Sequence, residues 1–325
     1  MHPSFKSSQQ QINETLAEAK TDSTQIDPSL IEWGEEIEQG SYSKIYSATL
    51  NSITHSKVEV IVKEMFRNDA QHLLQNETTS LAKLNTVSTP IAPYFYGIFN
   101  KEENEIRCVV IEKLDIDLYY KMEKKIGWPE RYRLIQMVVN AVTILHQEAK
   151  IAHLDLKLEN IMLTESGEVR LIDFDFSQPI QAKYHSAKGT PEYMAPELFN
   201  LYREKISSID NSAALDIFSL SILMWELAAW KNTCLSLNVT ELIDLILKGK
   251  REKIPKNIPP HVACAITWGW SQKPEDRPRA QQINLLVNPP HVAALKDLRK
   301  KTKISAEEEK SDESFSSAML RQLRR

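Results

Sequence analysis

The chain has 325 residues, 42% of them apolar and 26% charged, which is ample for a large buried core and excludes wholesale disorder, collagen-like and small disulfide-stapled architectures. Forty basic against 44 acidic side chains leave a formal net charge of −4, so no global cationic field draws in nucleic acid or anionic lipid, and no nucleic-acid partner is expected. Three widely spaced cysteines, Cys108, Cys234 and Cys264, suit thiols in a reducing, cytoplasmic compartment better than a disulfide framework.

Residues 1–30 are rich in Gln, Ser, Thr, Asp and Glu and are read as a tail. The start has no apolar run of the secretory type, and His2 excludes the N-myristoyl pattern. Strand patterns follow at Ile31–Gln39, Lys44–Leu50, Val58–Met65, around Tyr94–Phe99 and at Cys108–Leu114, with a helix predicted over Asn68–Leu84. Helical signals then dominate: Pro129–Glu148, Ala213–Trp230, Val239–Leu247 and His261–Trp268. The apolar run Ala213–Trp230 carries Asp216 and Glu226, which suits a buried core helix and not a membrane span. After Pro289-Pro290 comes a charged, helix-prone stretch, then Glu307-Glu308-Glu309, a Ser-rich segment and a basic end. This tail reads as solvated, although its composition somewhat resembles the translocation signals of bacterial effectors delivered to a host cytosol.

Ile161–Thr164 and Val169–Ile172 have matched length and are joined by the turn Glu165-Ser166-Gly167-Glu168. They predict a hairpin whose open end carries Asn160 and Asp173. An amide oxygen and a carboxylate are hard ligands of the kind Mg²⁺ takes alongside substrate phosphates. Asp155, a potential base, and Lys157, a cation, stand just before the hairpin. On the helix predicted over Asn68–Leu84, the residues Leu74, Glu77, Leu81 and Leu84 share one face, which places Glu77 inside an apolar stripe. An acid facing inward needs a partner.

The run His153-Leu154-Asp155-Leu156-Lys157-Leu158-Glu159-Asn160, followed by Asp173-Phe174-Asp175, resembles the H-R-D-L-x-x-x-N and D-F-G motifs of eukaryotic-type serine/threonine protein kinases. Gly189-Thr190-Pro191-Glu192-Tyr193-Met194-Ala195-Pro196-Glu197 resembles the end of their activation segment. Over Ile31 to Pro290 the resemblance implies an α+β, bilobal protein-kinase-like fold. A small, mainly antiparallel β N-lobe with one main helix would occupy about 31–112, and a larger, mainly helical C-lobe about 115–290, with tails at 1–30 and 291–325.

The activity implied is transfer of the γ-phosphoryl group of ATP to Ser or Thr hydroxyls of a protein substrate, with Mg²⁺ or Mn²⁺. By this resemblance Asp155 accepts the hydroxyl proton with Lys157 beside it, Asn160 and Asp173 hold the metal, and Lys63, in Val60-Ile61-Val62-Lys63, holds phosphates and pairs with Glu77. Ile37 and Gly40 belong to the phosphate loop, and Ile45, Ile61 and Met162 wall the adenine slot with Ile111 beside it. The backbone of Glu112 and Leu114 offers hydrogen bonds, and Asp117 joins the same nucleotide-binding set. Asp216 is expected to brace the catalytic loop, Arg277 to pair with Glu197, and His153 to pack.

Several positions depart from the family pattern. Of G-x-G-x-x-G only Gly40 remains, with Glu38 and Ser43 at the other glycine positions, and a Glu38 turned inward would repel phosphate. Ile61 is bulkier than the usual alanine and Phe218 replaces a tryptophan. Leu154 replaces the arginine that receives an activation-segment phosphate, so activity independent of Ser186 phosphorylation is expected. Asp175 replaces the glycine of D-F-G and adds a carboxylate near Asp173. Lys157 and Thr190 resemble the serine/threonine-directed branch, and Glu159 suggests a mild preference for a basic residue in the substrate. Lys63, Glu77, Asp155, Asn160 and Asp173 are all retained, which favours catalysis over the alternative, a pseudokinase acting as a nucleotide-binding or interaction scaffold.

Overall fold

In strand β3 (Lys57–Met65) successive side chains fall on opposite faces, so Val60 and Val62 enter a core while Ile61 and Lys63 face the other way. That core is built with Ala48 and Leu50 of β2 (Ser43–Asn51), Ile31 of β1 (Ile31–Gln39), Tyr96 and Phe99 of β4 (Phe95–Phe99), and Cys108 and Val110 of β5 (Cys108–Glu112). The computed structural model describes residues 25–40, 42–51, 57–67, 71–100, 108–186, 188–203, 205–232 and 238–288. The N-terminal tail before residue 25, the C-terminal tail, Cys234 and Pro289-Pro290 lie outside the described residues.

The chain divides into two units, one running to Asp115 and including Ile172–Asp175, the other comprising Ile116–Leu171 and the residues from Phe176 onward. In the first, the five strands lie in the order β1-β2-β3-β5-β4 with every neighbouring pair antiparallel. The β2–β3 register runs without a break from Ser43↔Met65 to Asn51↔Lys57. Strand β1 is an edge strand whose register slips between Trp33 and Glu38 and whose exposed side carries Glu32, Glu35, Glu36 and Glu38. Such a charged, irregular edge resists pairing with another chain.

Helix α1 (Gln71–Leu84) buries Leu73, Leu74, Glu77, Leu81 and Leu84, the apolar stripe with one acid inside it that the spacing predicts. Each buried leucine there stabilises the unit by about 2 kcal/mol relative to exposure. The start predicted at Asn68 lies outside the described residues.

The second unit is mainly helical: α2 (Leu118–Lys121), α3 (Trp128–Ile144), α4 (Pro196–Tyr202), α5 (Ser212–Ala229), α6 (Val239–Leu247), α7 (Pro260–Gly269) and α8 (Ala280–Val287). It also holds the short sheets β6-β8-β9 (Ile116–Asp117, Ile161–Leu163, Val169–Leu171) and β7-β10 (Ile151–Ala152, Gln178–Pro179). Helix α5 starts where Asn211 accepts a hydrogen bond from the Ala214 amide at 3.3 Å, and it packs against α3 and α7. It is long and apolar enough to cross a membrane, yet 83% of it is buried inside the protein, as befits a core helix with apolar residues all round. Helix α3 runs on through a π-helical turn, Leu145–Ala149, and stops at Lys150, whose φ of 55° is left-handed.

The predicted hairpin is present: Ile161 pairs with Leu171, Met162 with Arg170 and Leu163 with Val169. Its ends are continued by Asn160 on one side and Ile172-Asp173 on the other. The sequence pattern predicts no helix at α2, α4 or α8, which have four, seven and eight residues, too few for a periodic pattern to stand out.

Candidate active site

The sheet register of the first unit gathers several predicted residues on one face. Ile45 lies opposite Lys63, and Ile61 opposite Ile111, so the lysine and the proposed adenine-side isoleucines share the side away from Val60 and Val62. From that face Lys63 Nζ meets Glu77 Oε2 at 2.9 Å. The pair forms because strand alternation and the helical stripe aim two otherwise unsatisfied charges at each other in a buried space. Two more carboxylates converge on the same ammonium, Asp175 Oδ1 at 2.9 Å and Asp173 Oδ1 at 3.2 Å.

Burial alone would lower the Lys63 pKa, but Glu77, Asp173 and Asp175 together hold it well above the usual lysine range. Burial pushes the Glu77 carboxyl up to about 8; the pull of Lys63 offsets part of this, and the like charges of Asp175 and Asp173 add to it. Burial also raises Asp175. Asp173 has a left-handed φ of 64°, an uncommon backbone state for a residue other than glycine.

In the second unit Asp155 is held from four directions. Its Oδ1 accepts the Thr190 amide at 3.1 Å and the Thr190 hydroxyl at 3.0 Å. Its Oδ2 accepts Asn160 Nδ2 at 3.1 Å and faces Lys157 Nζ at 3.1 Å. Asn160 Nδ2 also donates to the Asp155 carbonyl at 2.9 Å, so the amide nitrogen makes the protein bonds and Oδ1 is left for a ligand among the described residues. Lys157 Nζ donates to Thr190 Oγ1 at 3.3 Å.

The loop carrying Asp155 is fixed by Asp216 on α5, fully buried, whose Oδ2 accepts the His153 amide at 2.7 Å and whose Oδ1 accepts the Leu154 amide at 2.8 Å. His146 Nε2 lies 2.7 Å from the same Oδ2. These bonds support Leu154 at a left-handed φ of 70°. Arg277 forks onto Glu197 at 2.6 and 2.8 Å and donates to the Ala214 carbonyl at 2.9 Å. Its guanidinium and that of Arg251 lie 5.1 and 4.8 Å from the Phe218 ring centroid. Tyr193 donates to the buried Glu226 at 2.8 Å.

Ile37 is 57% exposed, and the Gly40 amide donates to the Ser43 carbonyl at 2.9 Å, closing a tight turn. Glu38 is exposed, and the register sets it opposite Ile45, on the same face as Lys63. The Glu112 amide donates to the Tyr94 carbonyl at 2.9 Å and its carboxylate accepts the Tyr94 amide at 3.0 Å, so that amide is committed to the protein. Asp117 caps α2 by accepting the Tyr120 amide at 2.9 Å. Ile45, Ile61, Leu114 and Met162 are half-buried. His146, Asn76 and the pairing of Asp175 with Lys63 were not anticipated; each depends on a contact made far along the chain.

A match to the model of the protein kinase domain family covers residues 31–285. The chain belongs to the protein kinase domain family. The kinase domain is 28% identical over 276 residues to a probable serine/threonine-protein kinase of Dictyostelium discoideum, covering 78% of this chain and 15% of that protein. It is 27% identical over 266 residues to a serine/threonine-protein kinase of Arabidopsis thaliana, covering 78% and 31%. A probable LIM domain-containing serine/threonine-protein kinase of D. discoideum is 26% identical over 278 residues, covering 84% and 41%. The chain thus spans less than half the length of these relatives.

The donor set suits a hard divalent cation. Oxygen atoms of Glu77, Asp173 and Asp175, all in the first unit, lie within 4.8 Å of one another.

Proposed function

We propose that the kinase domain is an active serine/threonine protein kinase that transfers the γ-phosphoryl group of ATP to a hydroxyl of a protein substrate. The observation that carries this reading is the complete hydrogen-bonded setting of Asp155, with Asn160, Lys157 and Thr190 around one carboxylate. The buried Lys63–Glu77 pair supports it. A scaffold protein has no physical requirement for either arrangement.

In this reading Lys63, steadied by Glu77, presents its ammonium to the ATP phosphates. Asp173 and the Asn160 amide oxygen would hold Mg²⁺ or Mn²⁺, whose charge would neutralise phosphate. Asp155 orients the acceptor hydroxyl and takes its proton as the new P–O bond forms and the bond from the γ-phosphorus to the leaving ADP oxygen breaks. Lys157 stabilises charge on the transferring group, and its hydrogen bond to Thr190 supports the Ser/Thr preference. The scattered cysteines, with no paired spacing, support a cytoplasmic location.

The second reading, a pseudokinase scaffold, is favoured by one observation: three carboxylates crowd the ammonium that should meet phosphate. Incubation with radiolabelled ATP, Mg²⁺ or Mn²⁺ and a generic basic protein separates the two, with Asp155→Asn and Lys63→Met beside the wild type. Label transfer lost in both variants is the expected result. No transfer by folded wild-type protein overturns the catalytic reading.

A further inference from the structure

A lysine ammonium has three N–H donors. Around Lys63 Nζ there are three carboxylate oxygens, those of Glu77 and Asp175 at 2.9 Å and that of Asp173 at 3.2 Å. A phosphate oxygen arriving at this ammonium must take the place of one of them. Glu77 is 3% exposed and is set in the apolar stripe of α1. Asp173 lies farther from the ammonium, and its side chain is 36% exposed.

Asp175 is different from both. It stands at the position where the family has glycine, and its side chain is only 13% exposed. Its backbone carbonyl accepts a hydrogen bond from Asn76 Nδ2 at 3.2 Å, and Asn76 immediately precedes Glu77 on α1. The neighbouring Phe174 is fully buried. One residue therefore ties the D-F-D segment to helix α1 through its backbone and to the lysine through its carboxylate.

We propose that the Asp175 carboxylate is an internal substitute for nucleotide phosphate on Lys63. It holds the Lys63–Glu77 pair and α1 in register while no nucleotide is present, and it yields the ammonium to phosphate when a divalent cation offers it a stronger partner. The proposal rests on the reading of the domain as ATP-using. The physical basis is competition: a carboxylate and a phosphate oxygen seek the same donor, and a doubly charged cation beside Asp173 outbids an ammonium for a hard oxygen ligand. Nucleotide affinity should then depend on the divalent cation more steeply than neutralisation of the phosphates alone requires.

The test uses full-length wild type, Asp175→Gly and the near-isosteric Asp175→Asn. Each is titrated with a fluorescent ATP analogue in EDTA and again with Mg²⁺, and amide hydrogen exchange of residues 74–84 is followed in the nucleotide-free proteins. In EDTA both variants are expected to bind the analogue at least about threefold more tightly than wild type, with the gap closing in Mg²⁺. Residues 74–84 of Asp175→Gly are expected to exchange faster. Equal affinity in EDTA, or unchanged exchange in that helix, overturns the proposal. If none of the three proteins binds the analogue in either buffer, the ATP-using reading falls and the competition falls with it; faster exchange in Asp175→Gly would then mark a purely structural clasp. Should the glycine variant fail to fold, the affinity of Asp175→Asn in EDTA decides.

Discussion

Thr190 gives Asp155 two hydrogen bonds at once, the backbone amide at 3.1 Å and the hydroxyl at 3.0 Å, both to Oδ1. The turn that delivers Thr190 depends on Gly189, whose φ of 130° is a backbone state that side-chain-bearing residues rarely adopt. The activation segment thus fixes the orientation of the proposed base directly.

Replacing that hydroxyl should therefore slow the chemistry more than it weakens nucleotide binding. Thr190→Ala is expected to lower kcat by roughly tenfold to a hundredfold while KM for ATP moves by no more than about twofold, and Thr190→Ser should keep most of the rate. Steady-state kinetics of the three proteins read this. A loss confined to KM would contradict the positioning role.

The Arg277–Glu197 fork is buried and the arginine also serves the Ala214 carbonyl. Removing one partner strands the other charge away from water. Arg277→Leu or Glu197→Leu alone should cost about 3–5 kcal/mol of stability, measured by urea unfolding. The double variant should cost less than the sum, since no lone charge remains.

Leu154 occupies the place of a phosphate-receiving arginine and is 6% exposed. A phosphate on Ser186 would find no guanidinium from that position, and the loop is already held by Asp216 through the His153 and Leu154 amides. Ser186→Ala and phosphatase-treated wild type should both phosphorylate a test substrate at the untreated wild-type initial rate. A severalfold drop in either would show that the segment still needs its phosphate.

Tyr184 anchors the same segment by exchanging two backbone hydrogen bonds of 2.8 Å with Ile209. Burial pushes its phenol up to about 12 from an ordinary value of 10.0. The folded state therefore keeps a proton that the unfolded chain releases, so this stability is complete below about pH 10 and is lost as pH rises towards 12. Chemical unfolding between pH 9 and 11 should show a steeper decline for wild type than for Tyr184→Phe, with a difference of about 1 kcal/mol at the top.

Much of this could be read from the sequence, and for identifiable reasons. Strand β3 alternates charged and β-branched residues in Lys57-Val58-Glu59-Val60, the other strands of the first unit are short apolar or aromatic runs bounded by polar segments, and Glu77 betrays itself as an acid in an apolar stripe, because such patterns are local. The hairpin bearing Asn160 and Asp173 is equally local, set by two short strands and a glycine turn. Asp216 and Arg277 were named through the family resemblance, and their contacts with the His153 and Leu154 amides and with Glu197 are present.

What the sequence left undecided depends on residues distant along the chain that meet only after packing. Nothing local to Asp175 reveals that its carboxylate finds Lys63, 112 positions away, or that Asn76 clasps its carbonyl. His146 meets Asp216 across 70 positions at the end of a helix whose last turn widens. Conversely, the Glu112 amide is spent on Tyr94 and the Asp117 carboxylate on a helix cap, duties fixed by backbone geometry that composition does not encode. Periodicity specifies which face of an element is buried, so the sequence determined the family, the strands and the inward acid. The partner of each buried charge is decided by which faces are pressed together, and only the tertiary structure could assign the third carboxylate to the lysine.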